Sequence, residues 1–558
     1  MPIRISVSHG EQLQPSGFEA LLEQSNQLIK EDRFEEAEKY LLRAQAIVPD
    51  SPSVYNLMGF LAYQKKDFKR AVRSFEKALQ VNPHYAEGWN NLGAAYLGLS
   101  RLSDAKSAFA KAVSLNPNLE DALENLSWVT EHFFTHSTKL PSLSACTIMK
   151  NEEQNLPRLL SSLSGYVDEV VVVDTGSTDR SVEVARSFGA RVYFHGWRED
   201  FSAAKNEALE RAQGEWVLFL DADEAMFPED LKKLRLILTY TSHEAFMLPI
   251  KNFLDPQERT YMLNYLVRVF RRRPEIRYRG RIHETVEGSL VELGKKVFKL
   301  HNIFIYHYGY TDREKTTWKV FSRNYELLLK EIQENPENLD ALSYLGRDCF
   351  LKGRVEEAKS YLRQVLTISR DFNFAVLTAH LDLAWIAIRE ENFAEAFVHL
   401  DTVREREPYL PDLYYLLGLA HHRKGEYPRA LECFEKVFSV DYRKSKSLMV
   451  FFRFSWGDLY QKMGECYLVA GENEKAKECF EKASEFSEDN PDLLNNLGVA
   501  MVKLGDRENA EMYFKKALEA NPAHPDARSN LFRFLLEEGR VAEARVLLSQ
   551  MKEILEQK

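Results

Sequence analysis

A chain of 558 residues has room for roughly two to four domains. Its 45% apolar and 28% charged residues are a soluble, globular balance. The net charge of −10 excludes general nucleic-acid binding, which needs a basic surface, and no apolar run is long enough to be a transmembrane segment. Cys146, Cys349, Cys433, Cys466 and Cys479 are scattered and fit no zinc spacing, so a reduced, cytoplasmic setting is expected.

Residues 1–17 lack the apolar stretch of a signal peptide and read as a short leader. A repeat follows. Pro49, Pro83 and Pro117 are 34 residues apart, as are Ala37, Ala71 and Ala105, and Ala44, Ala78 and Ala112. Gly59 with Gly93 and Phe75 with Phe109 keep the same period. Small residues at fixed points let two helices approach closely, and the proline closes each unit. Segments such as Trp89–Tyr96 resemble the tetratricopeptide repeat, which implies an α-helical solenoid of about three units over residues 18–136. Most apolar residues of such an array only pack on the neighbouring unit.

The pattern changes after His136. Ser144–Met149 predicts a strand, Pro157–Leu163 a helix and Val167–Val173 a β-branched buried strand. The turn-rich stretch Asp174–Asp179 precedes a helix from about Arg180 to Phe188, with Gly189 to end it. Arg191–Phe194 predicts a third strand and Ala203–Arg211 a helix. Glu215–Leu220 is then apolar on both faces and stops at Asp221 and Asp223. Such alternation predicts a doubly wound parallel sheet, with the two acids at the carboxyl end of a strand, where open α/β sheets bind ligands. Two acids at that spacing can converge on one hard cation; capping a turn is the plainer alternative. Spacing alone gives a nucleotide- or phosphate-binding α/β domain.

Four motifs in order, Lys150–Glu153, Val171–Asp179, Phe201–Ala208 and Asp221–Glu224, together resemble the family 2 glycosyltransferases of the GT-A fold. The nearest branch includes lipopolysaccharide-core glucosyltransferases and bacteriocin S-glycosyltransferases. The resemblance implies a central GT-A domain, Rossmann-like α/β, over residues 142–312, and an inverting transferase that takes a nucleotide-diphosphate sugar, with UDP favoured. It implies that Asp174 accepts a hydrogen bond from the nucleotide base, with Asn151 or Glu152 lining the same pocket. Asp223 would ligate a divalent metal, Mn²⁺ or Mg²⁺, and Asp221 would contact the ribose or a metal-bound water. Lys205 beside Asn206 departs from the arginine the family pattern suggests, so it offers a charge to a phosphate but no bidentate fork.

Downstream, Leu266–Arg271 alternates as a strand, and the stretches Arg279–Glu284 and Ile303–Gly309 resemble the closing part of the same branch. An inverting transferase wants a carboxylate base near the acceptor. Glu284 is the candidate, with a structural ion pair, or Glu224 as base, as competing readings. His307 and His283 are candidates for a third metal ligand, and Arg268, Arg271 and Arg281 for the diphosphate.

Residues 313–558 predict a linking helix and about six further repeats. Gly464 and Gly498 are 34 apart, as are Gly471, Gly505 and Gly539, and Ala476, Ala510 and Ala544. A basic insertion spans Tyr442–Trp456, and the aromatics of Tyr409–Tyr415 and Phe451–Phe454 read as core before groove lining. Flanking arrays suggest a protein or peptide acceptor bound in a repeat groove. A saccharide or lipid-linked acceptor and an inactive scaffold are the alternatives, and the intact Asp174, Asp221 and Asp223 speak against the last.

Overall fold

The computed structural model describes residues 17–133, 140–253, 261–309, 319–445, 454–486 and 489–556. The expected leader up to residue 16, the insertion around Lys446 and Arg453, and the expected domain end at Asp312 lie outside them.

Helices Gly17–Lys30 and Phe34–Ile47, Pro52–Gln64 and Phe68–Val81, and Ala86–Gly98 and Leu102–Leu115 form three pairs, followed by Glu120–Phe133. The repeat period has a packing cause. Gly59 lies against the Phe75 ring and Gly93 against that of Phe109; an added Cβ would stand 2.5 Å and 2.7 Å from those rings. Gly464 with Phe480 and Gly498 with Phe514 repeat the contact in the C-terminal array. Buried amide pairs join successive units: Asn91 Nδ2 donates to Asn56 Oδ1 and Asn125 Nδ2 to Asn90 Oδ1, both at 2.9 Å. Gly93→Ala is expected to overpack this contact by about 1–3 kcal/mol and to lower the melting midpoint of the array. A variant that melts like the parent would show that the Phe109 ring yields and that the glycine is not the constraint.

One nine-stranded sheet forms the central domain: β1 (Leu143–Met149), β2 (Glu169–Asp174), β3 (Arg191–Phe194), β4 (Trp216–Phe219), β5 (Glu224–Ala225), β6 (Ala245–Phe253), β7 (Tyr261–Arg271), β8 (Val297–Lys299) and β9 (Ile305–His307). The order is β3-β2-β1-β4-β7-β6-β9-β5, with β8 also on β6. β3, β2, β1 and β4 are parallel, as the alternation with helices predicts. Beyond β4 the sheet is mixed, because β7 runs antiparallel to both β4 and β6. The connection from β6 to β7 is too short for a crossover helix, so an antiparallel return is the available path. Trp216 to Phe219 are fully buried, so β4 is the strand that delivers Asp221 and Asp223 to the carboxyl edge.

After helix Lys319–Glu334 come six pairs: Leu339–Leu351 with Val355–Ile368, Phe374–Arg389 with Phe393–Arg406, Pro411–Arg423 with Tyr427–Ser439, Trp456–Ala470 with Asn473–Ser484, Pro491–Leu504 with Arg507–Ala520, and Pro525–Glu537 with Val541–Glu556. Tyr415 and Phe454 are buried and stacked on each other, centroids 4.7 Å apart, as core aromatics. The first helices of successive pairs touch one another and so line the inner curve of the array.

Both arrays are fused to the sheet domain. On the N-terminal side, the Asn118 side chain donates to Lys299 O and accepts from His301 N, each at 2.9 Å, and Val129 and Leu126 share a core with Leu143 and Leu234. On the C-terminal side, Tyr265, Tyr278 and Leu290 share a core with Leu377, Leu381, Leu413 and Leu416, which lie on first helices. The central domain and the early C-terminal repeats thus share one continuous apolar core.

Candidate active site

The loops after β1 and β2 are laced together. Asn151, at φ +58°, accepts from Thr178 N at 2.7 Å, and its own N–H donates to Ser177 Oγ at 2.9 Å. Glu152 N donates to Ser181 Oγ, and Glu153 accepts from Arg180 N. Asp174 is buried, and its carboxylate accepts from Gly176 N and Ser177 N at 3.1–3.2 Å. Asp174 and Asn151 thus shape these loops, the capping arrangement that competes with nucleotide contact. The Glu152 carboxyl is pushed up by burial, with Asp223 and Asp221 adding to the effect, although the Asn155 hydrogen bond opposes it. It faces the two aspartates across the strand ends.

Around Asp221 five charges form a chain. Lys205 Nζ is 3.0 Å from Asp221 Oδ1 and 2.7 Å from Glu284 Oε1. Arg268 Nη2 is 2.8 Å from Asp221 Oδ2 and 2.8 Å from Glu224 Oε1. Glu224 Oε2 accepts Asp221 N at 2.8 Å. Lys205 and Arg268 are almost wholly buried, whereas the Asp221 side chain is 38% exposed, so Asp221 is the network's open end. Burial alone would raise the Asp221 pKa, but Arg268 and Lys205 outweigh it and hold the carboxylate ionised. Burial likewise opposes charge on Lys205, and Asp221 with Glu284 more than restores it. For Glu224 burial prevails and its carboxyl is raised, against the pull of Arg268.

Beside this network stands a pair. β5 pairs antiparallel with β9 so that Glu224 opposes His307, and Tyr308 N donates to Asp223 O at 3.1 Å. The register sets His307 Nε2 3.2 Å from Asp223 Oδ2. Asn252 Nδ2 points at Met262 O, Ile250 O and Asn264 Oδ1, which turns its Oδ1 to His307 Nδ1 at 2.8 Å. Nδ1 therefore carries a proton, and Nε2 faces the carboxylate with its lone pair unless a positive charge lies between. Burial opposes a proton on His307, but the Asp223 hydrogen bond and the nearby carboxylates prevail and raise its pKa. A divalent ion meets the same electrostatic demand. Oxygen and imidazole nitrogen are suitable donors, and Asn252 is the outer partner such a histidine uses. Gly309 makes the approach possible: an added Cβ would stand 2.7 Å from His307 Nε2 and collide with Asp223 Oδ2.

Asp221 has its oxygens on Lys205 and Arg268, whereas Asp223 faces His307. His283 stands apart; it stacks on Tyr344 with centroids 3.8 Å apart, and burial and Arg347 push it down to about 4. Lys205 is a buried link between two carboxylates, not an open phosphate contact. Asn206 spends its amide on the backbone of Tyr278, donating to O at 3.0 Å and accepting from N at 2.8 Å. Arg281 is bound to Glu334, 2.5 Å away, and Arg271 lies over Trp216. Among the described residues no group of three or more His, Cys, Asp or Glu side chains is arranged to hold a metal; the two donors Asp223 and His307 are what the protein brings together.

Sequence reasoning missed Asn252, the central role of Arg268, and Arg158. The signal for Arg268 was a charge among buried apolar residues in mid-strand. Arg158 is exposed on helix Leu156–Leu163, its guanidinium carbon 3.9 Å from the ring centroid of Tyr308, the residue after His307, and among the described residues no carboxylate pairs with it. A cavity of about 310 Å³ between Glu131, Tyr166, Asp168 and Arg235 lies at the amino ends of the strands and holds none of these groups.

The Glycosyl transferase family 2 profile matches residues 144–286, the segment that carries all of this network except the Asp223–His307 partner strand. Tetratricopeptide profiles match 61–100, 86–119, 411–443, 464–505 and 501–557. The central domain is a family 2 glycosyltransferase domain flanked by tetratricopeptide repeats. The chain is 33% identical over 236 residues to a TPR repeat-containing protein of Synechococcus elongatus, covering 41% of this chain and 58% of that one. It is 25% identical over 283 residues to the SPbeta prophage-derived glycosyltransferase SunS of Bacillus subtilis, covering 49% and 65%. An uncharacterised glycosyltransferase of Rickettsia typhi is 28% identical over 187 residues, covering 32% and 63%. The chain thus spans 58% to 65% of the length of these relatives. Among solved structures, YrrB, a TPR protein with an unusual peptide-binding site, covers 36% of this chain and 96% of its own at 19% identity and a TM-score of 0.28, too low to carry a conclusion. Among the described residues no helix is long and apolar enough to cross a membrane.

Proposed function

We propose that the protein is an inverting glycosyltransferase that moves a sugar from a nucleotide-diphosphate donor, UDP-linked by preference, to a polypeptide acceptor. The observation that carries this reading is the Asp223–His307 pair beside the Lys205–Asp221–Arg268 network at the carboxyl edge of a family 2 domain. Asp223 and His307 would hold a divalent ion, Mn²⁺ or Mg²⁺, which when bound neutralises charge on the departing diphosphate. Arg158, open and adjacent, supplies the uncommitted cation that Lys205 and Arg268 cannot. Glu284 anchors Oε1 on Lys205 and presents its second oxygen as the base for the acceptor. The flanking repeats support a polypeptide acceptor over a saccharide or lipid-linked one.

A thermal-shift panel of nucleoside diphosphates and sugar nucleotides, with and without Mn²⁺ or Mg²⁺, tests the donor and metal. Selective ligands stabilise the native state by mass action, so a metal-dependent shift with one nucleotide is expected; turnover of a sugar nucleotide that ignores chelators would refute the metal. Arg158→Ala is expected to weaken UDP binding by about ten- to a hundredfold, the worth of a charge-assisted contact, and to leave uridine binding unchanged. Arg158→Lys should keep part of it. Equal loss for uridine would remove Arg158 from the diphosphate.

A further inference from the structure

The loop that carries Glu284 is held from two sides. Its base closes through the Arg279–Thr285 backbone pair, and the Gly280 and Arg281 carbonyls accept from Ser202 Oγ and Phe201 N. These contacts belong to the sheet domain. The tip is gripped by the C-terminal array. Arg281 N donates to Glu331 Oε2 at 3.1 Å, and its guanidinium meets Glu334 at 2.5 Å. Ile282 packs on Leu328, Ala341 and Leu345. His283, held at φ +53°, lies face to face with Tyr344, ring planes 17° apart. A histidine in the left-handed region needs such support, because few side chains tolerate that backbone. The next residue is Glu284, which reaches Lys205 and through it Asp221.

We propose that helix Lys319–Glu334 and the first C-terminal repeat are a working part of the active site, in which Glu331 and Glu334 on the former and Tyr344 on the latter are positioning residues that hold Arg281–His283 so that Glu284 meets Lys205. The inference rests on the reading of Glu284 and Lys205 as parts of a sugar-transfer site. It adds that the array is no detachable adaptor: whatever moves helix Lys319–Glu334 or Leu339–Leu351 moves Glu284. It follows that trimming the array would impair chemistry on the donor itself, not only delivery of a polypeptide.

The test compares full-length Tyr344→Ala, Tyr344→Phe and Glu334→Ala with the parent. Two readouts are used: hydrogen exchange of amides 279–285, and kcat and KM for metal-dependent turnover of a UDP-sugar. Tyr344→Ala should exchange faster in this segment, because a local opening is eased. Its kcat should fall by about ten- to a hundredfold, the scale of a misplaced catalytic group, with donor KM little changed. Tyr344→Phe keeps the stacked ring and should restore both. Glu334 is 63% exposed, so Glu334→Ala will fold and should shift exchange in the same direction. Unchanged exchange in Tyr344→Ala and Glu334→Ala, or a Tyr344→Phe protein as impaired as Tyr344→Ala, would overturn the proposal. A parent protein that turns over no sugar nucleotide would sink the functional reading, while the exchange data would still decide the positioning claim.

Discussion

Asp223→Asn is expected to reduce metal-dependent turnover of the sugar nucleotide by more than about a hundredfold, since losing even an outer partner of a metal-binding histidine can cost that much affinity. The substitution keeps size and hydrogen bonding but removes the charge that faces His307 Nε2 at 3.2 Å. It also removes the contact that raises the His307 pKa, so the imidazole should titrate lower in the variant, which NMR can follow without any metal. Two companions separate metal binding from simple packing. Asn252→Ala frees His307 Nδ1 and should weaken metal binding by about ten- to a hundredfold. Gly309→Ala drives a Cβ between the two donors and should mimic the Asp223 defect although no charge changes. Full turnover in Asp223→Asn would take Asp223 out of the chemistry altogether.

The second large effect is on stability. Arg268→Met leaves Lys205 to serve Asp221 and Glu284 and takes from Glu224 its ion-pair partner, and breaking a buried charge network from one side costs about 3–5 kcal/mol. The central domain should unfold at markedly lower temperature, followed by calorimetry because a chain with several domains need not melt in one step. Neutralising an orphaned acid as well, in Arg268→Met with Glu224→Gln, should recover much of the loss, since Glu224 is 2% exposed and cannot turn to solvent. Arg268→Met that melts with the parent would mean that water or rearrangement satisfies the carboxylates and that the network does not hold the site together.

The architecture was legible because its signals are local and periodic. The apolar run before Asp221 is a buried strand and nothing else in a β-α alternation, and β1 to β4 lie where that alternation predicts. The turn after β2 follows from short-range side-chain chemistry, whereas the helix expected from Ala203 starts at Phe201, because Asp200 caps it by accepting from Ala203 N. Roles that depend on partners were not legible in this way. Asn206 and Arg281 look like ligand-binding residues in the motif, but the loop after β7 and the helix at Glu334 claim them. Lys205 reads as an exposed helix lysine or a phosphate contact, and only the fold shows it buried between Asp221 and Glu284.

The amino-acid sequence by itself determined the order of domains, the repeat period with its Gly–Phe contacts, and the delivery of Asp221 and Asp223 to the edge of the sheet. These are consequences of propensity, patterning and steric fit between neighbours in the chain. The tertiary structure alone decided which charges meet. His307 reaches Asp223 through the register of β5 against β9, Arg268 reaches Asp221 across β4 and β7, and Tyr344 reaches His283 across the domain seam. The physical reason is common to all three. A long-range ion pair or ring stack leaves no periodic trace in a single chain, and the worth of each depends on burial that only packing creates.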